Sequence, residues 1–495
     1  MEQQSSQFVV GVDIGTSSSK GVLVDLAGAV IASAIREHRV DRPRPGHVEM
    51  DGTIWWQEFV SITRELLAAA DGAEVVAVGA SGMGPCLLLA DEHDTLLRPG
   101  ILYGVDSRAG AQIEQLDGAL GAEEIFRLGG SMLSSQAVGP KIRWVADEEP
   151  EVFAAARRLY MPSSYLVRRL TGRYVLDHQS ASQSTPLYDT TRETWNERWW
   201  DEICPQIERP ELAFSDQVVG SISADAAAET GLPQDIPVVC GTIDAWAEAI
   251  SVDAHRVGDL MLMYGTTMFM INTVAEPASH PTLWGTVGAF AGTRNLAGGM
   301  ATSGAITGWL RELYGSPDYP TLLAEAAESA AGADGLLMLP YFAGERTPVN
   351  DPDARGVIAG LTVSHTRGDL YRAALEATAY GVRHNIEFFR AAGGQIDRVV
   401  AVGGGTQGEL WTQIVSDVTG VPQELRRTSV GASYGMAFLA AGAVTDVRMD
   451  DWNPVAHTVE PDRAHRETYE SGFELYRSLY ESTKDIAHAL AARQG

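Results

Sequence analysis

Residues 8–25 read Phe8-Val-Val-Gly-Val-Asp13-Ile-Gly-Thr-Ser-Ser-Ser-Lys20-Gly-Val-Leu-Val-Asp25. An apolar run ends on one carboxylate, a turn of glycine and hydroxyl residues follows, and a second apolar run closes the unit. Apolar runs of this length bounded by Gly and Ser predict two buried strands joined as a β-hairpin. An ordinary hairpin needs neither an Asp at the strand end nor four hydroxyl residues in succession. Such a turn can aim backbone N–H groups and hydroxyls at a phosphate, while the carboxylate at its root orients a hydrated divalent cation. The unit then recurs about 250 residues later. Asp259-Leu-Met-Leu-Met-Tyr-Gly265-Thr266-Thr267-Met-Phe-Met-Ile-Asn-Thr273 is again an apolar run, a Gly-hydroxyl turn and an apolar run. This imperfect duplication predicts two similarly built domains with two phosphate-facing turns across a cleft.

A chain of 495 residues has room for about two to three domains. We place the boundary near Ile250, giving an N-terminal domain over 1–250 and a C-terminal domain over 251–495. Apolar runs alternate with helical patterns throughout, which predicts an α/β class. The first half reads as strands at Phe8–Val12, Gly21–Asp25, Val30–Ala34 and Val75–Ala80, with a helix near Ile54–Ala70. Leu87–Ala90, Ile101–Val105 and Pro233–Cys240 read as further extended segments.

The net charge of −28, from 37 basic and 65 acidic residues, disfavours nucleic acid or an anionic membrane as partner. Cys86, Cys204 and Cys240 are far apart and odd in number, with neither metal-ligand nor disulfide spacing. The first residues lack a basic segment followed by an apolar one, and no apolar run is long enough to span a bilayer. A soluble protein of the reducing cytoplasm is expected.

Three local patterns compete. Gly403-Gly404-Gly405-Thr406-Gln407-Gly408 follows the strand Arg398–Val402, opens a helix and has Glu424 near the acidic position of a dinucleotide fingerprint. Glycines there let backbone approach a pyrophosphate or a nucleoside at a helix N-terminus, so NAD and other nucleotides both remain open. Gly431-Ala432-Ser433-Tyr434-Gly435 matches the G-x-S-x-G nucleophile elbow but lacks the apolar strand that elbow requires; small residues opening an alanine-rich helix explain it better. Neither a G-x-x-x-x-G-K-[ST] loop nor an H-E-x-x-H pair occurs.

If a nucleotide spans the cleft, phosphoryl transfer needs an acceptor held in line, stabilised charge, a metal and a base. Asp13 suits the metal. Asp244, at the end of a predicted buried strand and beside Gly241-Thr242, suits the base; the plainer reading is a cap on the helix that follows, and a carboxylate can serve both purposes. An acceptor bearing several hydroxyls needs further polar partners, for which Asp106-Ser107-Arg108 is a candidate group.

Together these residues resemble the FGGY carbohydrate kinase family, whose two ribonuclease-H-like domains are shared with actin, heat-shock chaperones and hexokinase. The resemblance runs collinearly from Val9 to about Val444. Asp13-Ile-Gly-Thr-Ser and Tyr264-Gly-Thr-Thr267 are similar to its two phosphate motifs, and Gly241-Thr-Ile-Asp244-Ala to the segment carrying its catalytic base. The most specific block comprises Tyr341-Phe-Ala-Gly-Glu-Arg-Thr-Pro348, Arg355-Gly-Val-Ile-Ala-Gly-Leu-Thr362 and Leu370-Tyr-Arg-Ala-Ala-Leu-Glu376-Ala-Thr-Ala-Tyr-Gly381. Gly403-Gly-Gly405 with Gly431–Gly435 looks like the adenosine-binding part, so the resemblance assigns that turn to ATP.

The resemblance implies transfer of the γ-phosphate of ATP, with Mg²⁺, to a hydroxyl of a small sugar or polyol. It implies Asp244 as base and as a contact to the acceptor, and Asp13 at the metal. Gly15, Thr16, Ser17, Gly265, Thr266, Thr267, Gly404, Gly405 and Gln407 fall to the nucleotide, and Met83, Gly84, Asp106 and Arg108 to the acceptor. The nearest branch is that of the xylulose kinases, through Ile101-Leu-Tyr-Gly-Val-Asp106-Ser-Arg108. Where that branch has Gln-Met-His-Gly against the sugar, this chain has Met83-Gly84-Pro85-Cys86, so Pro85 removes a hydrogen-bonding group. A ketopentose such as D-xylulose is expected, with another ketose, a deoxy sugar or a polyol equally admissible; a homodimer is compatible with the sequence. The rivals are an NAD-dependent oxidoreductase using Gly403–Gly408 and an actin- or chaperone-like ATPase. The latter needs a partner-binding extension, and beyond Val444 only a terminal helical stretch is seen.

Overall fold

Strand β1 (Gln7–Ile14) pairs antiparallel with β2 (Ser18–Asp25), and β2 with β3 (Val30–Glu37), so the opening unit is the hairpin its pattern predicts. This is the computed structural model of the chain, and it describes residues 7–70 and 74–494. Residues 1–6, read above as lacking a signal sequence, lie outside the described residues. Helix α1 (Gly52–Ala69) follows, its N-terminus capped by the Asp51 carboxylate accepting the Thr53 N–H at 2.9 Å. Its buried Trp55, Phe59, Ile62 and Leu66 recur at three- and four-residue spacing and pack on the sheet. β4 (Glu74–Gly82) then runs parallel to β1.

After a long excursion of short helices and strands, β5 (Val218–Ser221) and β6 (Pro237–Val239) complete the sheet in the order β5-β6-β4-β1-β2-β3. Of the run Pro233–Cys240, read above as one strand, only these three residues pair. Asp235 has φ +65, which breaks extended pairing before them. Similarly, Ile101–Val105 is extended only at its start, because the Asp106 N–H bonds back to Tyr103 O at 2.9 Å and closes a turn.

Helix α2 (Asp244–Ser251) leads out of the first sheet and the pattern restarts. β7 (Asp259–Tyr264), β8 (Met268–Val274), β9 (Trp284–Val287), β10 (Arg294–Met300), β11 (Arg398–Val402), β12 (Gln423–Arg426) and β13 (Val455–Val459) form a second sheet. Its order is β9-β10-β8-β7-β11-β12-β13. Within it β10-β8-β7-β11-β12 repeats β3-β2-β1-β4-β6 in order and sense: three antiparallel strands, then two parallel additions.

Helices α3 (Gly304–Leu313), α4 (Arg367–Ala391), α5 (Glu409–Thr419), α6 (Ala432–Gly442) and α7 (Arg466–Ala491) belong to the second half. Of these, α6 leaves its own sheet and packs on the first one. Its buried Tyr434, Met436, Ala437 and Leu439 share a core with Val9, Val22, Val24 and Val239. The two halves are thereby joined through α2 and α6, and a cleft opens beside this joint.

Candidate active site

The cleft contains a cavity of about 440 Å³ whose wall includes Asp13, Lys20, Asp244, Glu248, Thr267 and Arg346. Asp13 stands near the end of β1, where register sets it between Lys20 of β2 and Ser81 of β4. Its Oδ1 accepts the Ser81 hydroxyl at 2.8 Å. Burial, and then the negative charges of Asp244 and Glu248, push the Asp13 carboxyl well above the usual carboxylate range. Lys20 Nζ donates to Val430 O from across the domain joint.

Asp244 is the first residue of α2, and its Oδ1 accepts the Ala245 N–H at 2.8 Å. The N-cap position belongs to Ile243, and Asp244 lines the cavity from the first turn of the helix. The segment before it is rigid for identifiable reasons. Gly241 has φ +71 and a Cβ there would lie 1.9 Å from Ala80 O, so no other residue fits. The hydroxyl of Thr242, wholly buried, sits 2.9 Å from Asp177 Oδ2 and 3.1 Å from Gln179 Oε1. Burial raises the Asp244 carboxyl, and one helical turn further on it raises that of Glu248 to about 7. Three carboxylates in one desolvated cavity suit a cation. Among the described residues no three ligating side chains close on a point. That donor set fits a Mg²⁺ that keeps most of its waters and shares phosphate oxygens.

A second cavity, of about 540 Å³, adjoins the first across the β7–β8 turn: Gly265 and Thr266 line the second cavity, Thr267 the first. The turn is pinned from behind, because Ser303 N and Ala305 N donate to Thr266 O (3.0 and 3.1 Å) and Gly304 N to Gly265 O (3.0 Å). Gly404, Gly405 and Gln407 form the far wall, and Tyr319, Leu323 and Tyr371 make it a largely apolar slot. The Gly403 turn is a single 3₁₀ turn, Gly404–Gln407, ahead of α5. Glu424, near the acidic position of a dinucleotide fingerprint, lies 3.4 Å from both Arg398 and Arg426 and is held in their ion-pair network.

Residues 8–251 match the model of the FGGY family of carbohydrate kinases, N-terminal domain, and residues 260–444 that of its C-terminal domain. The chain belongs to the FGGY family of carbohydrate kinases. The xylulose kinase of Escherichia coli (strain K12) is 28% identical over 491 residues, 95% of this chain and 98% of that protein. The crystal structure of xylulose kinase from Rhodospirillum rubrum superposes with a TM-score of 0.91 at 32% identity, covering 97% of this chain and 100% of that one. Glycerol kinase 2 of Streptomyces avermitilis (strain ATCC 31267) is also 28% identical, over 94% of this chain and 96% of that protein. The protein is therefore a carbohydrate kinase, neither a dehydrogenase nor an actin-like or chaperone-like ATPase. No helix among the described residues is long and apolar enough to cross a membrane.

Within this FGGY kinase the residues expected at the site divide into four groups. Asp13, Gly84, Asp244 and Thr267 share the first cavity, and Gly265, Thr266, Gly404, Gly405 and Gln407 the second. Gly15, Thr16 and Ser17 stay off the wall, where Ser18 represents their turn. Thr16 Oγ1 instead meets Tyr103 Oη at 3.0 Å, tying the turn to a residue that does line the cavity.

Met83, Asp106 and Arg108 form the fourth group and line neither cavity. Met83 is fully buried. Asp106 accepts the Val48 N–H at 2.6 Å and pairs with Arg108 Nη2 at 2.7 Å, and Arg108 Nη1 pairs with Glu49 at 2.6 Å. Both side chains are without solvent exposure, because a two-residue spacing lets them neutralise each other at once. They brace the loop that presents Tyr103.

Lys20, Glu248, Gln136, Gln183, Trp246 and Arg346 are wall residues that sequence reasoning missed. Two were open to inference: Glu248 lies four residues after Asp244 on one helix face, and Lys20 is the cross-strand partner of Asp13.

Proposed function

We propose that the enzyme transfers the γ-phosphoryl group of ATP to a hydroxyl of a small sugar, a ketopentose such as D-xylulose, with Asp244 as general base. The observation that carries this is the junction of the two cavities at one turn. A nucleotide in the Gly404–Gln407 slot would pass its phosphates over Gly265–Thr267 and deliver the terminal one into the cavity that Asp244 enters. The acceptor O–H would lose its proton to Asp244 as its oxygen bonds phosphorus and the β–γ bridge breaks, releasing ADP. Asp13, with the negative field it shares with Glu248, would hold hydrated Mg²⁺, which neutralises charge on the phosphates when bound. Lys20 lies within the same field.

At the acceptor end the polar groups are Tyr103, Gln136 and Gln183, set against Trp246, Phe269 and Trp284. Gln183 Nε2 is buried without a hydrogen-bond partner, a donor suited to a sugar hydroxyl. Where the resemblance sets Pro85 against a histidine of the xylulose kinases, the pocket lacks a hydrogen-bonding side chain, so a second acceptor class (another ketose, a deoxy sugar or a polyol) keeps support.

A coupled ADP-release screen over ketopentoses, aldoses, deoxy sugars and polyols tests both readings. Turnover should be confined to one acceptor class, and Asp244→Asn should lower its kcat by about 10²–10⁴-fold while ATP still binds. Near-wild-type turnover in that variant would remove the base assignment. A preference for polyols over D-xylulose would move the enzyme to the second class.

A further inference from the structure

Arg346 is the cation on the cavity wall that the reading above leaves without a task. It follows Glu345 in the loop between the short paired strands Leu337–Leu339 and Val357–Ala359, and its guanidinium is held at one corner, Nη2 donating to Met300 O at 2.8 Å. Met300 pairs with Met268, the residue that follows Thr267. That anchor hangs the guanidinium beside the Gly265–Thr267 turn, on the wall of the cavity that Asp244 enters from the other domain.

Among the described residues no carboxylate lies within salt-bridge distance of it. Arg346 Nε is buried and has no hydrogen-bond partner. Neighbouring Glu345 favours its charge from a distance but makes no side-chain pair with it: the Glu345 Oε1 accepts two backbone N–H groups, Ala301 at 2.8 Å and Arg346 at 2.7 Å. A guanidinium removed from water, without a directly paired carboxylate and with a free donor, is costly unless an anion completes it. Burial accordingly holds its pKa below the usual guanidinium range.

We propose that Arg346 binds the oxygens of the phosphoryl group in flight, stabilising the charge that develops between Thr267 and the acceptor oxygen. This rests on the kinase reading above. The same chemistry, an anionic oxygen met by a guanidinium, could be supplied by a carboxylate on an acidic acceptor, so the test separates the two sources. The Thr267-side anchor favours the phosphoryl group, since Met300 fixes Arg346 to the donor turn and not to the Tyr103–Gln183 end of the cavity.

The experiment compares wild type, Arg346→Lys and Arg346→Ala on the neutral sugar that wild type phosphorylates best and on the sugar acid of the same carbon skeleton. Loss of a preorganised charge contact should lower kcat of Arg346→Ala by about 10²–10³-fold, with KM for the neutral sugar nearly unchanged. Arg346→Lys should retain part of the rate. Guanidinium ion added below denaturing concentration should restore turnover to Arg346→Ala and not to Asp244→Asn. A raised KM at unchanged kcat, or a defect confined to the sugar acid, would overturn the proposal, the latter reassigning Arg346 to the acceptor. Absence of rescue together with loss of nucleotide and sugar binding would reduce it to a structural residue. If wild type phosphorylates no acceptor at all, the kinase reading fails first and independently.

Discussion

His38 shows how single residues hold the phosphate turn in place. Its Nε2 lies 3.0 Å from Gly15 O and its Nδ1 2.9 Å from Glu58 Oε2, with the imidazole only 5% exposed. A carbonyl and a carboxylate are both acceptors, so both ring nitrogens must donate, which requires the imidazolium. Burial opposes that charge, but the Glu58 contact outweighs it and the pKa is raised. A raised histidine pKa contributes stability that is complete below the unfolded value near 6.5 and is lost as pH rises through the higher folded value. Glu58→Gln should therefore lower the denaturation midpoint more at pH 6 than at pH 9. Equal losses at the two pH values would show that the ring is neutral.

At the scale of elements, the joint between the halves depends on helix α6 approaching strands at backbone contact. A Cβ on Gly11 of β1 would lie 1.9 Å from Ser433 O and 2.5 Å from Ala437 N, and one on Gly435 would lie 2.1 Å from Ala247 O of α2. These are backbone atoms, so no side chain can rotate away to make room. Gly11→Ala should destabilise the protein by about 1–3 kcal/mol, read as a lower denaturant midpoint. Gly110→Ala is the matched control, because an added methyl there meets nothing within 4 Å. It should be neutral or gain about 0.4–1 kcal/mol. If both variants lose stability equally, close approach at the joint is not what Gly11 provides.

At the scale of the whole molecule, the two walls of the first cavity come from different halves of the chain. Asp13 and Asp244 belong to the first half, Thr267 and Arg346 to the second, and α2 and α6 form the joint between them. An acceptor and a nucleotide that touch both walls reward closure of the cleft, which would exclude water from the transfer. Small-angle scattering should report a smaller radius of gyration with sugar and a non-hydrolysable nucleotide together than with either alone. An unchanged radius would mean that the cleft is already closed around its ligands.

By itself the sequence determined the two hairpins, the α/β class, the family and the positions of Asp13, Asp244, Thr267 and the Gly404 turn. Each of these is a local pattern: alternating apolar runs specify strands, and glycine beside hydroxyls or carboxylates marks turns that local backbone geometry demands. Which polar residues face the cavity was decided only by tertiary structure. Asp106 and Arg108 carried the composition of a sugar site, yet their closeness in the chain and to Glu49 turned them into a buried brace. Gln183 gave no local signal, and Arg346 stood in the Tyr341–Pro348 block without a role, because its place on the cavity wall depends on Met300, 46 residues away in the chain. Pairing with a near neighbour is readable along the chain. Remaining unpaired is not, since it depends on everything the fold places, or fails to place, around the group.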